Sequence, residues 1–335
     1  MRTRIAVDAM GGDFAPQNVI VGALDALHET GNRFELILVG NEDRIRQEVA
    51  RSGRGLNNLA YSIVDAPETI AMADTPTAAL RAKRNSSIAV GIQLQKEGKA
   101  DAFVSAGNTG AVLSASTLIL GRVPGVARPT IGAFFPSDRG PCLLLDAGAN
   151  VDSRPRHMLE FAVMGTVYAQ CMFQYENPKV GLLNIGEENT KGDERTLAVF
   201  KLLANSKLNF IGNVEGRDIL KGKAQVVVCD GFVGNIVLKF GESLLTMLKT
   251  RFREYASKGV VKKVWMGLLS KTIKNILWDF DYQTFGGVPI LGINGVSIIG
   301  HGGSTPRAIK NMILRAEEMA AKNIQGEIEK SLRSV

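Results

Sequence analysis

Glycine, asparagine and aspartate residues follow short apolar runs at seven places in this 335-residue chain. Each apolar run predicts a buried strand, and each polar tail predicts the loop at its carboxyl end. Ligands bind at that edge of an open α/β sheet, so seven such loops predict one large site on one rim of one sheet. The runs and their tails are Ile5–Val7 with 8–13, Phe103–Val104 with 105–110, Leu143–Leu145 with 146–150, Val180–Leu183 with 184–189, Phe210–Ile211 with 212–216, Val226–Val228 with 230–235, and Ile298–Ile299 with 300–303.

The loop from Ser105 to Gly110 opens a predicted helix. Backbone N–H groups at such a turn, helped by the helix dipole, can hold a phosphate; the alternative is a tight turn with a capping residue. The other Gly/Asn loops on the same rim favour the anion site. The predicted substrate- and phosphate-binding residues are Asp8, Gly11, Gly12, Asp13, Ser105, Gly107, Asn108, Thr109, Gly110, Asp146, Asn150, Asn213, Gly231 and His301.

The catalytic candidates are polar residues on the same loops. Lys191 follows the 184–189 tail and can reach an anion, or it can pair with Glu187 or Glu188. His157 and His301 are each a candidate general acid or base, or a structural hydrogen-bonding residue. Cys229 is a candidate acyl acceptor, although its apolar neighbours favour a small buried side chain. The predicted catalytic residues are Lys191, Asn184, Asp230, Asn235 and His157.

The sequence contains neither G-x-x-x-x-G-K-[ST] nor G-x-G-x-x-G after the first strand, which disfavours a conventional ATPase or Rossmann dehydrogenase. The three cysteines have no zinc spacing. Aspartates at strand ends can bind a metal, but they more often cap the next helix. We therefore predict no metal and no cofactor.

Apolar strands alternate with amphipathic helices, which predicts a mostly parallel sheet with helices on both faces. No linker divides the chain, so we predict a single catalytic α/β domain over residues 1–335. Strand-like sequence begins at once, and no apolar run approaches the roughly 20 residues that span a bilayer. The predicted helices are Pro16–Glu29, Glu42–Arg51, Pro76–Gly98, Gly110–Leu120, Met158–Tyr175, Asp193–Asn205 and Pro306–Leu332.

A helical hairpin is predicted over residues 240–282, with its turn near Ser257–Gly259. From Lys249 to Lys274 there are eight basic residues and one acid, a balance of +7 that equals the net charge of the whole chain. This local charge favours contact with a membrane surface, with an acidic partner, or solvation beside a dimer interface. The predicted membrane contacts are Lys262, Lys263, Trp265, Leu268 and Leu269.

The seven polar loop sequences given above, together with Pro16 and Lys191-Gly192, resemble those of the PlsX-type phosphate acyltransferases of bacterial phospholipid synthesis. The resemblance extends from residue 4 to about residue 320. The resemblance implies a three-layer α/β/α fold akin to isocitrate dehydrogenase and phosphotransacetylase. It implies transfer of a fatty acyl group from acyl carrier protein to inorganic phosphate, giving acyl phosphate. It also implies a homodimer without a cofactor or nucleic-acid partner, cytoplasmic and attached to the inner face of the cell membrane, beside a membrane acyltransferase.

Two other functions stay open at this point. A metal-dependent dehydrogenase of the related fold would need clustered aspartate ligands and a Tyr or Lys proton donor. Asp230 is a candidate ligand, and Lys191 is a candidate proton donor. A non-catalytic regulatory protein at the membrane surface would use the hairpin alone, which leaves the seven polar loops without a role.

Overall fold

The computed structural model describes residues 2–53, 58–276 and 286–334. Within these ranges the strands form two sheets, so the prediction of one rim on one sheet is wrong. All seven apolar runs are strands. The strands are β1 Arg4–Asp8, β2 Glu35–Gly40, β3 Tyr61–Asp65, β4 Ala102–Ser105, β5 Thr130–Ile131, β6 Ala133–Phe135, β7 Cys142–Leu145, β8 Val180–Leu183, β9 Phe210–Val214, β10 Val226–Val228, β11 Val288–Leu291 and β12 Ser297–Ile299.

The first sheet has the order β3-β2-β1-β4-β12-β11-β5, and the second has the order β6-β7-β10-β8-β9. Strands β3, β2, β1, β4 and β12 run parallel, as do β7, β10, β8 and β9. Antiparallel pairing involves only β5, β6 and β11 with their neighbours among the described strands. The polar loops therefore divide between two sheet edges: three follow the first sheet and four follow the second.

Helices cover both faces of these sheets. They are α1 Gln17–Thr30, α2 Glu42–Arg51, α3 Pro76–Ala82, α4 Ser87–Lys96, α5 Thr109–Ala115 with a π-helical continuation over Ser116–Leu120, α6 Pro155–Phe173, α7 Glu194–Ala204, α8 Gly216–Lys221, α9 Gly231–Ser257, α10 Val260–Ile276, α11 Pro306–Ala321 and α12 Ile324–Leu332. Two predicted helices are each broken in two. Ser86 caps α4 after a break that follows α3, and Asn323 has a left-handed φ of 45° between α11 and α12.

Alternate residues of the strands enter two separate hydrophobic cores. Ile5 and Val7 of β1 belong to the first core, while Ala6 belongs to the second. In β7, Leu143 enters the first core and Leu144 the second. Each core thus contains residues of both sheets, and a strand places successive side chains on opposite faces. The result is a three-layer α/β/α arrangement, as predicted.

Helices α9 and α10 form the predicted hairpin, with the turn at Lys258 and Gly259. Helix α9 begins at Gly231 because Asp230 caps it, so its first turns belong to the α/β body. By length and composition alone, α9 is apolar enough to cross a membrane, contrary to the sequence prediction. A side chain on Gly234 would collide with the Asp146 carbonyl, which shows how closely α9 packs on the body. Residues 277–282 of the predicted hairpin lie outside the described residues.

Candidate functional site

A cleft of about 630 Å³ opens between the edges of the two sheets. The first turn of α5, the loop after β7, the first turns of α9, the end of β12 and the residues at the start of α3 surround it. Four predicted site residues line it directly, namely Thr109, Gly110, Asn235 and His301. Other lining residues are Thr75, Pro76, Thr77, Leu113, Ser114, Ile131, Ala133, Phe134, Ala147, Gly148, Ala149, Leu238, Lys239, Glu242, Gly287, Val288, Ile299 and Gly300.

Two residues with backbone donors at the start of α5, Thr109 and Gly110, line this cleft. The first N–H groups of a helix have no acceptor within the helix. The backbone N–H groups of Thr109 and Gly110 have no acceptor elsewhere among residues 2–53, 58–276 and 286–334 either. The third N–H, that of Ala111, donates to Asn108 Oδ1 at 3.0 Å. Thr109 and Gly110 can therefore donate to an anion in the cleft.

Asn108 holds the start of α5 in place. Its Nδ2 donates to the carbonyl oxygens of Ala71, Met72 and Asp74 at 3.0–3.2 Å, while its Oδ1 caps the helix. The side chain is buried, and both of its polar atoms are occupied. Its predicted contact with phosphate stays a prediction, and the geometry assigns it a positioning role.

Asp8 and Ser105 form hydrogen bonds that stabilise the same loop. Ser105 Oγ donates to Asp8 Oδ2 at 2.6 Å and accepts from Gly107 N at 3.0 Å. Burial raises the pKa of the Asp8 carboxyl, against the effect of its hydrogen bonds. Gly11 leaves room for this network, because a Cβ there would collide with the Asp8 carboxylate. The turn that follows, Gly12 and Asp13, reaches the β12 loop through the Asp13 N–H, which donates to Gly302 O at 2.8 Å.

Asp146 organises the loop after β7 on the second sheet. Its Oδ1 accepts from the N–H groups of Ile131, Gly148 and Ala149 at 3.1–3.3 Å. Its Oδ2 accepts from the Asn150 N–H at 2.6 Å and from Asn150 Nδ2 at 3.0 Å. Burial raises the pKa of this carboxyl, although these bonds oppose the shift. Asp146 and Asn150 thus hold the loop that lines the cleft, although neither side chain lines the cleft itself.

Asp230 and Arg195 join the β8 side of the second sheet to α9. Asp230 Oδ1 caps α9 by accepting from Val233 N at 3.0 Å, and Oδ2 accepts from Arg195 Nη2 at 3.0 Å. Gly231 N donates to Asn150 O at 2.9 Å, which ties the start of α9 to the Asp146 loop. The sequence patterns did not single out Arg195, because its partner lies 35 residues away and no spacing rule connects them.

A second group lies around the loop after β8: Lys191 and Asn184 belong to this loop, and Asn213 of β9 bonds to it. Lys191 is exposed, does not line the cleft, and has no ion pair with any described residue. Asn184 Nδ2 donates to the Lys191 carbonyl at 3.0 Å, and Asn213 Nδ2 donates to Glu188 O at 2.8 Å. The Oδ1 atom of Asn213 is buried without a hydrogen-bond partner. The alternative pairing of Lys191 with Glu187 or Glu188 is not formed among the described residues, and Glu187 pairs with Lys223 at 2.9 Å.

The two histidines and Cys229 have different surroundings. His157 lies in the first turn of α6, where its Nδ1 accepts from Arg154 N at 3.2 Å. Burial lowers the pKa of this imidazole. His301 is exposed at the cleft, and its Nδ1 accepts from Gly303 N at 3.0 Å. Cys229 is buried, and burial raises its thiol pKa well above the ordinary value, which disfavours a thiolate nucleophile.

No group of three His, Cys, Asp or Glu side chains in the described part of the chain is arranged to hold a metal ion. The aspartates at the strand ends have other partners. Asp8 contacts Ser105, Asp146 contacts backbone N–H groups, and Asp230 pairs with Arg195. The clustered ligands that the dehydrogenase alternative needs are not formed by these three residues.

Comparison with known sequences gives a match over nearly the whole chain. A family model described as "Fatty acid synthesis protein" matches residues 3–326. A phosphate acyltransferase of Chlorobaculum parvum is 48% identical over 333 residues, covering 97% of each chain. A phosphate acyltransferase of Pelotomaculum thermopropionicum is 46% identical over 332 residues, covering 99% of this chain and 96% of that protein.

Solved structures support the fold. A phosphotransacetylase from Streptococcus pyogenes superposes with a TM-score of 0.63 at 17% identity, covering 96% of this chain and 94% of its own. A branched-chain phosphotransacylase from Enterococcus faecalis gives 0.57 at 12% identity, with 95% and 99% covered. A 4-hydroxythreonine-4-phosphate dehydrogenase from Burkholderia phymatum gives 0.51 at 13% identity, with 96% and 98% covered. At such identities these likenesses concern the fold alone.

Proposed function

The chain belongs to the phosphate acyltransferase family, and we propose that it transfers a fatty acyl group from acyl carrier protein to inorganic phosphate. The product is an acyl phosphate that serves phospholipid synthesis. The observation that carries this proposal is a pair of backbone donors, Thr109 and Gly110, that have no acceptor among the described residues and lie in a cleft with apolar walls. An anion and an acyl chain can meet there.

The reaction needs positioning more than it needs a protein nucleophile. An oxygen of HPO4²⁻ attacks the thioester carbonyl, the C–S bond breaks, and the proton lost by the phosphate balances the one gained by the leaving thiol. The site must bring phosphate and thioester together and stabilise the oxyanion of the tetrahedral intermediate. Thr109 and Gly110 donate to the phosphate, while Asn235 and His301 also line the cleft and serve as partners for the reacting carbonyl.

The direct test mixes the protein with palmitoyl acyl carrier protein and ³²P-labelled phosphate. Label should enter an organic-soluble product, in step with release of free carrier thiol. Sulfate in place of phosphate should give no thiol release beyond the rate without enzyme. Release of thiol without labelled product would instead indicate a thioester hydrolase.

The hairpin supports a proposal about location and assembly. Exposed apolar side chains continue along both helices, including Phe240 on α9 and Trp265 and Leu268 on α10. Lys262 and Lys263 stand beside them, and both are exposed. We propose that α9 packs against a second copy of the chain. Helix α10 then contacts the inner face of the cell membrane. A membrane acyltransferase there takes up the amphiphilic product.

A further inference from the structure

A second groove, of about 510 Å³, lies behind α3 and has no part in the reaction described above. Helix α4 forms one wall, and residues 115–119 at the end of the α5 segment form the other. Its apolar lining comes from Leu80, Val90, Leu94, Leu118 and Ile119. Leu118 is 70% exposed and adjoins the other apolar side chains of this lining. The groove is therefore an apolar surface open to solvent.

Two arginines lie on the rim of this groove. Arg81 and Arg84 are exposed, and neither forms an ion pair with a residue in the described ranges. The nearby lysines differ, because Lys83 pairs with Asp74 at 2.6 Å and Lys99 pairs with Glu97 at 2.8 Å. The uncompensated charge beside the apolar surface is thus positive, and it comes from guanidinium groups, which suit carboxylate partners.

Helix α3 separates this groove from the reaction cleft by a short distance. Thr77 lines both cavities, while Pro76 lines only the cleft and Arg84 only the groove. From Pro76 to Ala82, α3 has 7 residues, a length of about 10 Å at the rise of an α-helix. A thioester on a flexible arm can cross that distance from a protein docked on the groove.

We propose that this groove docks an acidic amphipathic helix of acyl carrier protein, with Arg81 and Arg84 on its carboxylates and Leu118 on its apolar face. This inference rests on the proposed function, since it names the docking surface for the proposed donor. An apolar groove with cations on its rim fits a helix whose polar face is acidic. The carrier's arm then passes Thr77 to bring the thioester into the cleft.

The test compares two acyl donors, palmitoyl acyl carrier protein and the carrier-free octanoyl-pantetheine. The double variant Arg81→Glu/Arg84→Glu should lower kcat/KM for the carrier-bound donor by about tenfold or more, mainly through KM, because like charges would face each other. Its kinetics with octanoyl-pantetheine and its KM for phosphate should stay unchanged. Lys201→Glu/Lys207→Glu, which makes the same charge change on exposed lysines elsewhere, should behave as wild type.

A second variant, Leu118→Ala, tests the apolar part with little risk to folding, and it should weaken only the carrier-bound reaction. Equal losses with both donors, or no loss with either, would overturn the inference. So would a variant that binds the carrier normally but loses binding to anionic vesicles. Titration of the wild type and the double variant with palmitoyl carrier measures docking directly. If the wild type binds the carrier yet makes no acyl phosphate, the proposed function fails while the docking surface stands.

Discussion

Arg195 donates from Nη2 to Asp230 Oδ2 at 3.0 Å and so connects the first turn of α7 to the N-cap of α9. Asp230 is buried, whereas the arginine side chain is partly exposed. The same carboxylate fixes the direction in which α9 leaves the sheet, because its other oxygen caps the helix. The pair therefore sets where Asn235, one turn further along α9, stands in the cleft.

We expect Arg195→Ala to lower kcat/KM about tenfold, because the start of α9 loses its fixed direction and a misplacement of about 1 Å can cost roughly 100-fold. A double-mutant cycle with Asp230→Asn should give a coupling of roughly 1–2 kcal/mol in the free energy of unfolding. Arg217→Ala is the matched control, since Arg217 pairs with Glu215 at 2.7 Å on the surface. Equal losses of kcat/KM in the two arginine variants would show that Arg195 has no particular role in positioning α9.

Local patterns predicted the strands well, because a buried parallel strand is a continuous apolar run. Val180–Leu183 and Val226–Val228 were predicted with their observed ends. The break between α3 and α4 was missed: Asn85 and Ser86 are residue types that favour turns and helix caps, but the turn also depends on tertiary bonds. One of these is the bond from Lys83 Nζ to Thr69 O at 2.9 Å. Such bonds do not show in periodicity.

The position of the cleft could not be predicted from the sequence, because it depends on how the strands pair. Thr109 and Asn235 lie in the first turns of α5 and α9, which follow β4 and β10 in different sheets. The loop composition predicted both as site residues but placed them on one rim. For Asn108, the residue type alone did not predict the role. An asparagine there suits anion binding, but its amide nitrogen donates to three carbonyls of the 71–74 segment.

Lys191→Ala tests whether a lysine outside the cleft lining takes part in the reaction. If Lys191 neutralises phosphate or the oxyanion, the folded variant should lose roughly 10²–10³-fold in kcat at saturating phosphate. The comparison is Lys223→Ala, which removes the cation that pairs with Glu187 of the same loop at 2.9 Å. Near-normal turnover of the Lys191 variant would make this side chain a solvated surface group.

Gly110→Val tests the backbone donors at the start of α5. A Cβ on Gly110 would stand 2.5 Å from Pro76 Cγ, so the helix start or α3 must shift and carry the Thr109 and Gly110 N–H groups away. We expect the KM for phosphate to rise roughly tenfold to 100-fold. Gly216→Ala is the control, because open space surrounds that position at the start of α8. Unchanged phosphate kinetics in the Gly110 variant would show that the loop is only a turn.

His157 predicts a pH dependence of stability. Its Nδ1 accepts from Arg154 N, which only the neutral imidazole can do, and burial lowers its pKa from the ordinary 6.5. The stabilising contribution is therefore present above about pH 6.5 and is lost as the pH falls through the folded pKa. Thermal unfolding between pH 7 and pH 5 should show a smaller drop in stability for His157→Ala than for the wild type. Parallel curves would assign the imidazole no such role, and an activity loss at pH 7 without a stability change would favour catalysis.

Leu268→Glu tests whether the hairpin contacts a membrane or a second subunit. Leu268 is 72% exposed on α10, between the exposed Trp265 and Leu269. A charge there should weaken binding to anionic vesicles while leaving activity in solution and the proposed dimer unchanged. Added salt should weaken the wild type in part, because each lysine near an anionic surface contributes about 1 kcal/mol and screening leaves the apolar contribution intact. Leu220→Glu, at an exposed leucine on α8, should bind vesicles as the wild type does. A monomeric Leu268 variant would place this residue in the subunit interface instead, and unchanged vesicle binding would move the membrane contact elsewhere on the chain.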